Sequence, residues 1–152
     1  MICATRGAIS CYKYGGIAEA MGFWFEYDPA NRILLGRFAG RLTDESLAAY
    51  YSAIRKYSRA TDARAGIFDL SGVTEVAIST EDARNLAQQK PAMPDTFRRP
   101  SILVAPTLLG AGLARIFQIA GASTRPLLQI AKTVDEAFAA LGVTSPRFEP
   151  LE

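Results

Sequence analysis

The sequence predicts a single α/β domain. A β-hairpin is followed by three strand–helix units, giving a mixed, mostly parallel five-stranded sheet covered by amphipathic helices. Three observations carry this reading. Residues 23–40 hold two strand-like segments around a turn. From residue 43 onward, apolar residues recur at helical spacing in four separate segments. Between those helices lie three short apolar runs, 65–70, 101–105 and 126–131, that do not alternate with polar residues. Strands of that kind, each followed by a helix, are parallel strands buried on both faces, with right-handed crossovers packing the helices back onto the sheet.

The hairpin comes first. Phe23–Asp28 (FWFEYD) has strong strand propensity. Asp28-Pro29-Ala30-Asn31 is turn chemistry: proline presets φ, and the Asp and Asn side chains bond back to local backbone. Residues 32–40 (RILLGRFAG) return as the second strand. Thr43 then stands as an N-cap before a helix reaching about Arg59, with Asp44 and Glu45 in its first turn. Leu47, Tyr50, Tyr51, Ile54 and Tyr57 form its apolar face. The tyrosine stripe reads as core with hydroxyls at its margin, or alternatively as a ligand wall.

The three later units follow the same grammar. AGIFDL (65–70) leads into DLSGVTEVAIST and a short helix over 79–90, which Pro91 and Pro94 end. SILVA (101–105), stopped by Pro106, precedes a helix from about Leu108 to Ala122 with Leu113, Ile116, Phe117 and Ala120 inward. PLLQIA (126–131) precedes the last helix, 133–141. There Thr133 and Glu136 match a capping box, and Val134, Ala137, Phe138 and Leu141 supply the buried stripe. Three units of chain are expected: an N-terminal extension over 1–20, the α/β domain over 21–143, and a loose C-terminal tail over 144–152. Met21 is a candidate start, because strand patterning begins directly after it.

Composition excludes several classes. The 152 residues carry 17 basic and 15 acidic side chains, a net charge of +2, with Arg98-Arg99 as the only basic doublet. A nucleic-acid surface needs a clustered basic footprint, so no nucleic-acid partner is expected. There is no histidine, which removes the commonest general base and metal ligand. Cys3 and Cys11 sit together near the start and, without histidine, make a poor metal site. No metal and no cofactor are expected, and a reducing, cytoplasmic setting is the simplest reading. No apolar stretch approaches the ~20 residues that span a bilayer, so the chain does not read as an integral membrane protein. The paired carboxylates Asp44-Glu45, Glu81-Asp82 and Asp135-Glu136 each fall in the first turn of a helix, where the macrodipole explains them without catalysis. With no nucleophile–base constellation, the chain does not read as an enzyme.

Individual candidates remain. Ser79 reads first as an N-cap of the helix that begins with Thr80, and second as a phosphorylatable switch, with Glu81 and Asp82 repelling a phosphate there. Asp69, at the end of an apolar strand, needs partners. The first reading is an Asx-type bond to Ser71 or the following amides, the second a site carboxylate at the strand's carboxyl end. Gly110-Ala111-Gly112-Leu113-Ala114-Arg115 imitates a dinucleotide fingerprint but ends in Arg and lacks the later acidic residue. Gly110 and Gly112 therefore read as close approach at a helix start. Arg115 faces solvent, pairs with Asp69 or Asp135, or contacts an anion.

Three short motifs suggest a family. The Asp-Leu-Ser-Gly-Val segment, 69–73, runs into a Ser/Thr-capped helix. Ala105-Pro106 precedes Gly112-Leu113-Ala114-Arg115. Thr133-Val134-Asp135-Glu136-Ala137 opens the last helix. Over residues 21–143 this pattern resembles the STAS superfamily of anti-sigma-factor antagonist-like domains, and within it the SpoIIAA-like branch with a CRAL-TRIO-like shape. The resemblance implies a non-enzymatic regulatory module of bacterial signalling that binds a protein partner. The partner or regulatory residues are then Asp69, Ser71, Ser79, Thr80 and Arg84, with Gly110, Gly112 and Arg115 as ligand or anion contacts. The antagonists carry Asp-Ser-Ser-Gly with a phosphorylated second Ser. A gapless match places Ala77, Ile78, Ser79 and Thr80 there, so only Ser79 is kept. The CRAL-TRIO-like shape implies the alternative, a small binding protein for an apolar or lipid-like ligand. A homodimer is compatible with either.

Overall fold

The computed structural model describes residues 22–95 and 98–152. The 1–20 extension, Cys3, Cys11 and the Met21 start lie outside the described residues.

The elements appear in the expected order, with one addition. Strands β1 (Gly22–Asp28) and β2 (Ile33–Thr43) form the hairpin, followed by α1 (Asp44–Ala60). Then come β3 (Ala65–Ala77), α2 (Thr80–Ala87), β4 (Ser101–Val104), α3 (Leu108–Ala120), β5 (Leu128–Ala131), α4 (Val134–Leu141) and β6 (Glu149–Leu151). The sheet order is β5-β4-β3-β2-β1-β6. The β2–β3–β4–β5 pairings are parallel, and both pairings of β1 are antiparallel.

The sheet therefore has six strands, not five, because the segment expected as a loose tail supplies the sixth. Asp28 makes this possible. It is fully buried, and its carboxylate accepts the Asn31 amide at 3.0 Å, the Asn31 side-chain amide at 2.8 Å and the Arg147 amide at 3.0 Å. The turn aspartate thus fastens the hairpin and the returning chain together. Phe148 stacks on Phe138 with centroids 5.8 Å apart, and Glu149–Leu151 then cover the free edge of β1.

β3, at 13 residues, is more than twice its expected length. After Asp69 it leaves β4 but stays paired with β2 as far as Ala77. The long β2 offers an edge that the polar DLSGVTEVA segment can use without apolar alternation. Two register shifts accommodate this, between Arg37 and Ala39 and between Gly40 and Arg41. At Gly72 a Cβ would come within 2.8 Å of the Phe38 carbonyl, so the irregular pairing requires glycine there.

Alternation divides the strand side chains between two cores. Leu34, Phe38 and Phe68 join the apolar faces of α1, α2 and α3 on one side. Ile33, Leu35, Ile67, Ile102 and Val104 join Ala137 and Val143 on the α4 side. The expected caps Thr43, Ser79 and Thr133 form, each accepting a backbone N–H of the following turn, and Thr107, not singled out from the sequence, caps α3 in the same way. Glu136 differs from a capping box by one residue, accepting the Lys132 amide at 3.1 Å.

Candidate functional site

The described surface has one open groove near the predicted switch residues, at the end of β3 where α2 and α3 meet. It measures about 380 Å³, and Val76, Ile78, Ser79, Thr80, Leu108 and Ile116 contribute to its walls. Ser79 Oγ accepts the Asp82 amide at 3.1 Å, so the capping role is real. Ser79 is also exposed, and the same hydroxyl borders the groove. Leu108 is 92% exposed and Ile119, further along the same helix, 69%. Water meets large apolar side chains here because α3 carries only one charged residue, Arg115. A helix apolar on more than its buried stripe is the surface form of an unpartnered face.

Of the predicted residues, the structure brings Ser79, Thr80 and Gly112 into this groove. Gly112 is exposed, and a Cβ built there meets nothing within 4 Å. Its glycine leaves the groove deep but is not sterically required, which corrects the close-approach reading. That reading fits Gly110, which is buried, has Thr107 Oγ1 3.0 Å from a built Cβ, and donates its amide to the same oxygen at 3.1 Å. Arg84 and Arg115 are exposed and form no ion pair among the described residues. Of the alternatives for Arg115, the solvent-facing one fits this exposure, and the pairing with Asp69 or Asp135 is absent there. Asp69 is taken by Arg37.

Asp69 and Ser71 belong elsewhere and do not line the groove. Asp69 is buried inside β3 rather than at its end. Its Oδ1 accepts the Ser71 amide at 2.9 Å and the Ser71 hydroxyl at 2.6 Å, the expected Asx-type bond. Its Oδ2 accepts from Arg37 at 3.0 Å, and Arg37 also reaches Glu26 at 3.3 Å. Two buried carboxylates thus share one guanidinium.

The first turns of α1 and α2 are acidic. Burial, then the hydrogen bond and charge of Asp82, raise the Asp44 carboxyl above its ordinary value. The first turns of α1 and α2 therefore adjoin, and negative charge surrounds Ser79. Among the described residues no group of three or more His, Cys, Asp or Glu side chains is placed to hold a metal. No described helix is long and apolar enough to cross a membrane.

A second concavity lies inside, between α1, α3 and the sheet. It is a cavity of about 80 Å³ whose walls include Tyr50, Phe68, Met93, Phe117 and Arg125. Tyr50, from the tyrosine stripe read alternatively as a ligand wall, is thus in its wall with Phe117, whereas Phe138 packs on the opposite face of the sheet. The groove's Leu108 and the cavity's Arg125 were not singled out from the sequence. Leu108 had a signal, the near-absence of charge on α3. Arg125 had none, because its burial depends on where β5 comes to rest.

A ββαβαβαβα chain with this sheet order has the STAS fold, the fold of the anti-sigma-factor antagonists. Two solved structures carry the likeness. One is the anti-sigma factor antagonist SpoIIAA in its unphosphorylated form, with TM-score 0.50, 12% identity, and coverage of 82% of this chain and all of that one. The other is the Bacillus cell fate determinant SpoIIAA in the phosphorylated form, with TM-score 0.50, 16% identity, and coverage of 79% of this chain and 99% of that one. No family model and no curated protein matches the sequence.

Proposed function

We propose that this chain is a non-enzymatic regulatory module that docks a protein partner in the α2–α3 groove. The observation that supports it most is the exposed apolar side chain of Leu108 beside the Ser79 cap, at the rim of a groove large enough to receive partner side chains. Apolar contacts supply affinity there, and the Ser79 and Thr80 hydroxyls supply polar recognition. The two SpoIIAA structures, one unphosphorylated and one phosphorylated, support reading Ser79 as the point of control. A phosphate on Ser79 would meet Glu81 and Asp82 in the same turn. Modification would therefore loosen the cap as well as repel an acidic partner. A bacterial, cytoplasmic signalling setting follows from this reading.

Native mass spectrometry of freshly purified protein tests it. A stoichiometric complex with a second protein, lost in Leu108→Glu, supports partner docking. A complex made only of two copies of this chain assigns the groove to a homodimer. A variant that keeps all its partners contradicts the docking site.

The interior cavity favours a second reading, in which the domain holds an apolar ligand between helices and sheet. Its volume, far below the ~300–1,000 Å³ of sites for drug-sized molecules, restricts that ligand to something much smaller than a lipid.

A further inference from the structure

β3 outruns its neighbour. It pairs with β4 only from Gly66 to Asp69, because β4 ends at Val104 and the chain then leaves for α3. From Ser71 to Ala77 its pairing among the described residues is with β2 alone. The other edge of this stretch carries backbone N–H and C=O groups that no described strand meets. None of its residues is buried, and Ser71, Gly72, Thr74 and Glu75 are exposed. At about 3.3 Å per residue the edge runs ~23 Å, room for a strand of ordinary length, about five to six residues. Proteins shield such edges with proline, lysine, bulges or a covering element. This stretch holds neither proline nor lysine, and only its register shifts against β2 roughen it.

The edge opens into the α2–α3 groove. Val76 belongs to both, with its backbone in the unpaired stretch and its side chain in the groove wall, which Ile78, Leu108 and Ile116 continue. A strand laid along this edge would point alternate side chains into the groove and the others to the opposite face of the sheet. It would satisfy the unpaired backbone and cover the exposed apolar wall together, whereas a helix in the groove would do only the second. Charge marks the opposite face. Glu75 stands there, next in the strand to Val76. Thr43 pairs with Ala77, so Asp44 and Glu45 of α1 adjoin Glu81 and Asp82 of α2 at the end of β3. Arg41 is taken by Glu75 at 3.1 Å, and Arg84 and Arg115 lie further along their helices.

We infer that the protein partner docks as an added β-strand of alternating apolar and basic residues. Its backbone pairs with Ser71–Ala77, its apolar side chains enter the groove, and its basic ones face the acidic end of β3. The inference rests on the docking reading above and adds the mode of binding and the chemistry of the bound segment.

NMR titration of the labelled full chain with a capped heptapeptide of alternating valine and lysine tests it. The peptide should saturate, shift methyl resonances of Val76, Leu108 and Ile116, and slow amide exchange within Ser71–Ala77 several-fold. The same peptide N-methylated at alternate residues, which removes the donors of one edge, should bind at least about tenfold more weakly. Glu75→Lys, at an exposed position, should turn the preference toward the valine–glutamate counterpart; an unchanged preference overturns the basic alternation. Methyl shifts without slowed exchange, or equal binding of the N-methylated peptide, overturn the strand mode and leave groove docking standing. Slowed exchange in the absence of peptide that grows with protein concentration gives the edge to a second copy and overturns the partner strand. No saturable binding at millimolar peptide also overturns the strand mode, whereas groove docking itself falls only if Leu108→Glu keeps every partner.

Discussion

Under α1, the rings of Phe23, Phe25, Phe38, Tyr50 and Tyr57 interlock with centroids 4.8 to 6.3 Å apart, whereas under α3 the side chains leave a cavity of about 80 Å³ and, outside it, an open groove. Both regions sit on the same face of one sheet. The first is closed to the point that a Cβ on Gly36 would come within 2.6 Å of the Phe25 ring. The second has spare volume inside and spare apolar surface outside. The hairpin and α1 make the tightly packed half, and the α2–α3 half is the one with room to rearrange.

Truncation should expose the contrast most strongly. Phe25→Ala is expected to cost about 3–5 kcal/mol in chemical denaturation, because rigid rings cannot close the hole. Met93→Ala, at a wall that already borders a void, should fall near the bottom of the usual range, about 2 kcal/mol. Adding volume should reverse the order of tolerance. Gly36→Ala should cost about 1–3 kcal/mol through overpacking, whereas Ala114→Val, which grows into the cavity, should be neutral or stabilising in the same assay.

The aromatic half contains one polar fault. Tyr50 Oη is buried without a hydrogen-bond partner among the described residues, and burial, with the Asp69 charge, pushes its pKa well above the ordinary value. Tyr50→Phe removes an unsatisfied hydroxyl and should raise stability by about 1 kcal/mol. A loss of that size would instead show that the hydroxyl has a partner.

The smallest effect concerns the sheet's edge. Burial alone would raise the Asp28 carboxyl, but the amides of Arg147 and Asn31 outweigh it and hold the group below its ordinary value of 3.8. Its contribution is therefore complete above that value and is lost as pH falls through the lower folded one. Amide exchange of the β6 segment should accelerate selectively in that acidic window, ahead of the aromatic core. Simultaneous exchange of both would contradict the clamp.

The parts of the fold legible in the sequence were those set by local chemistry. Thr43, Ser79 and Thr133 announced their helices because capping needs only a hydroxyl and the next turn. The three parallel strands that follow α1 were plain as short, mainly apolar runs. The seven residues that follow Leu70 in β3, Ser71 to Ala77, were not, because their strand character comes from the length of β2 and not from their own pattern. β6 was hidden in three residues, one a proline, whose anchor is an aspartate 119 positions away from Arg147. At the candidate site Ser79 and Thr80 were legible as a capped junction; their neighbour Leu108 was missed, although the low charge of α3 carried a signal for it. The ion cluster of Asp69 with Arg37 and the burial of Arg125 depend on contacts distant in sequence, which periodicity does not carry.

The central claim is that the loosely packed half is the working half, with its groove as the docking surface. Photo-crosslinking tests it most directly. A photoreactive residue replaces Leu108 in one version of the full chain and Ala139, exposed on α4 of the opposite face, in another. The account predicts a discrete adduct with one partner protein from the Leu108 position, diminished by Ser79→Asp, and none from Ala139. Equal labelling from both positions, or an adduct only from α4, would contradict it.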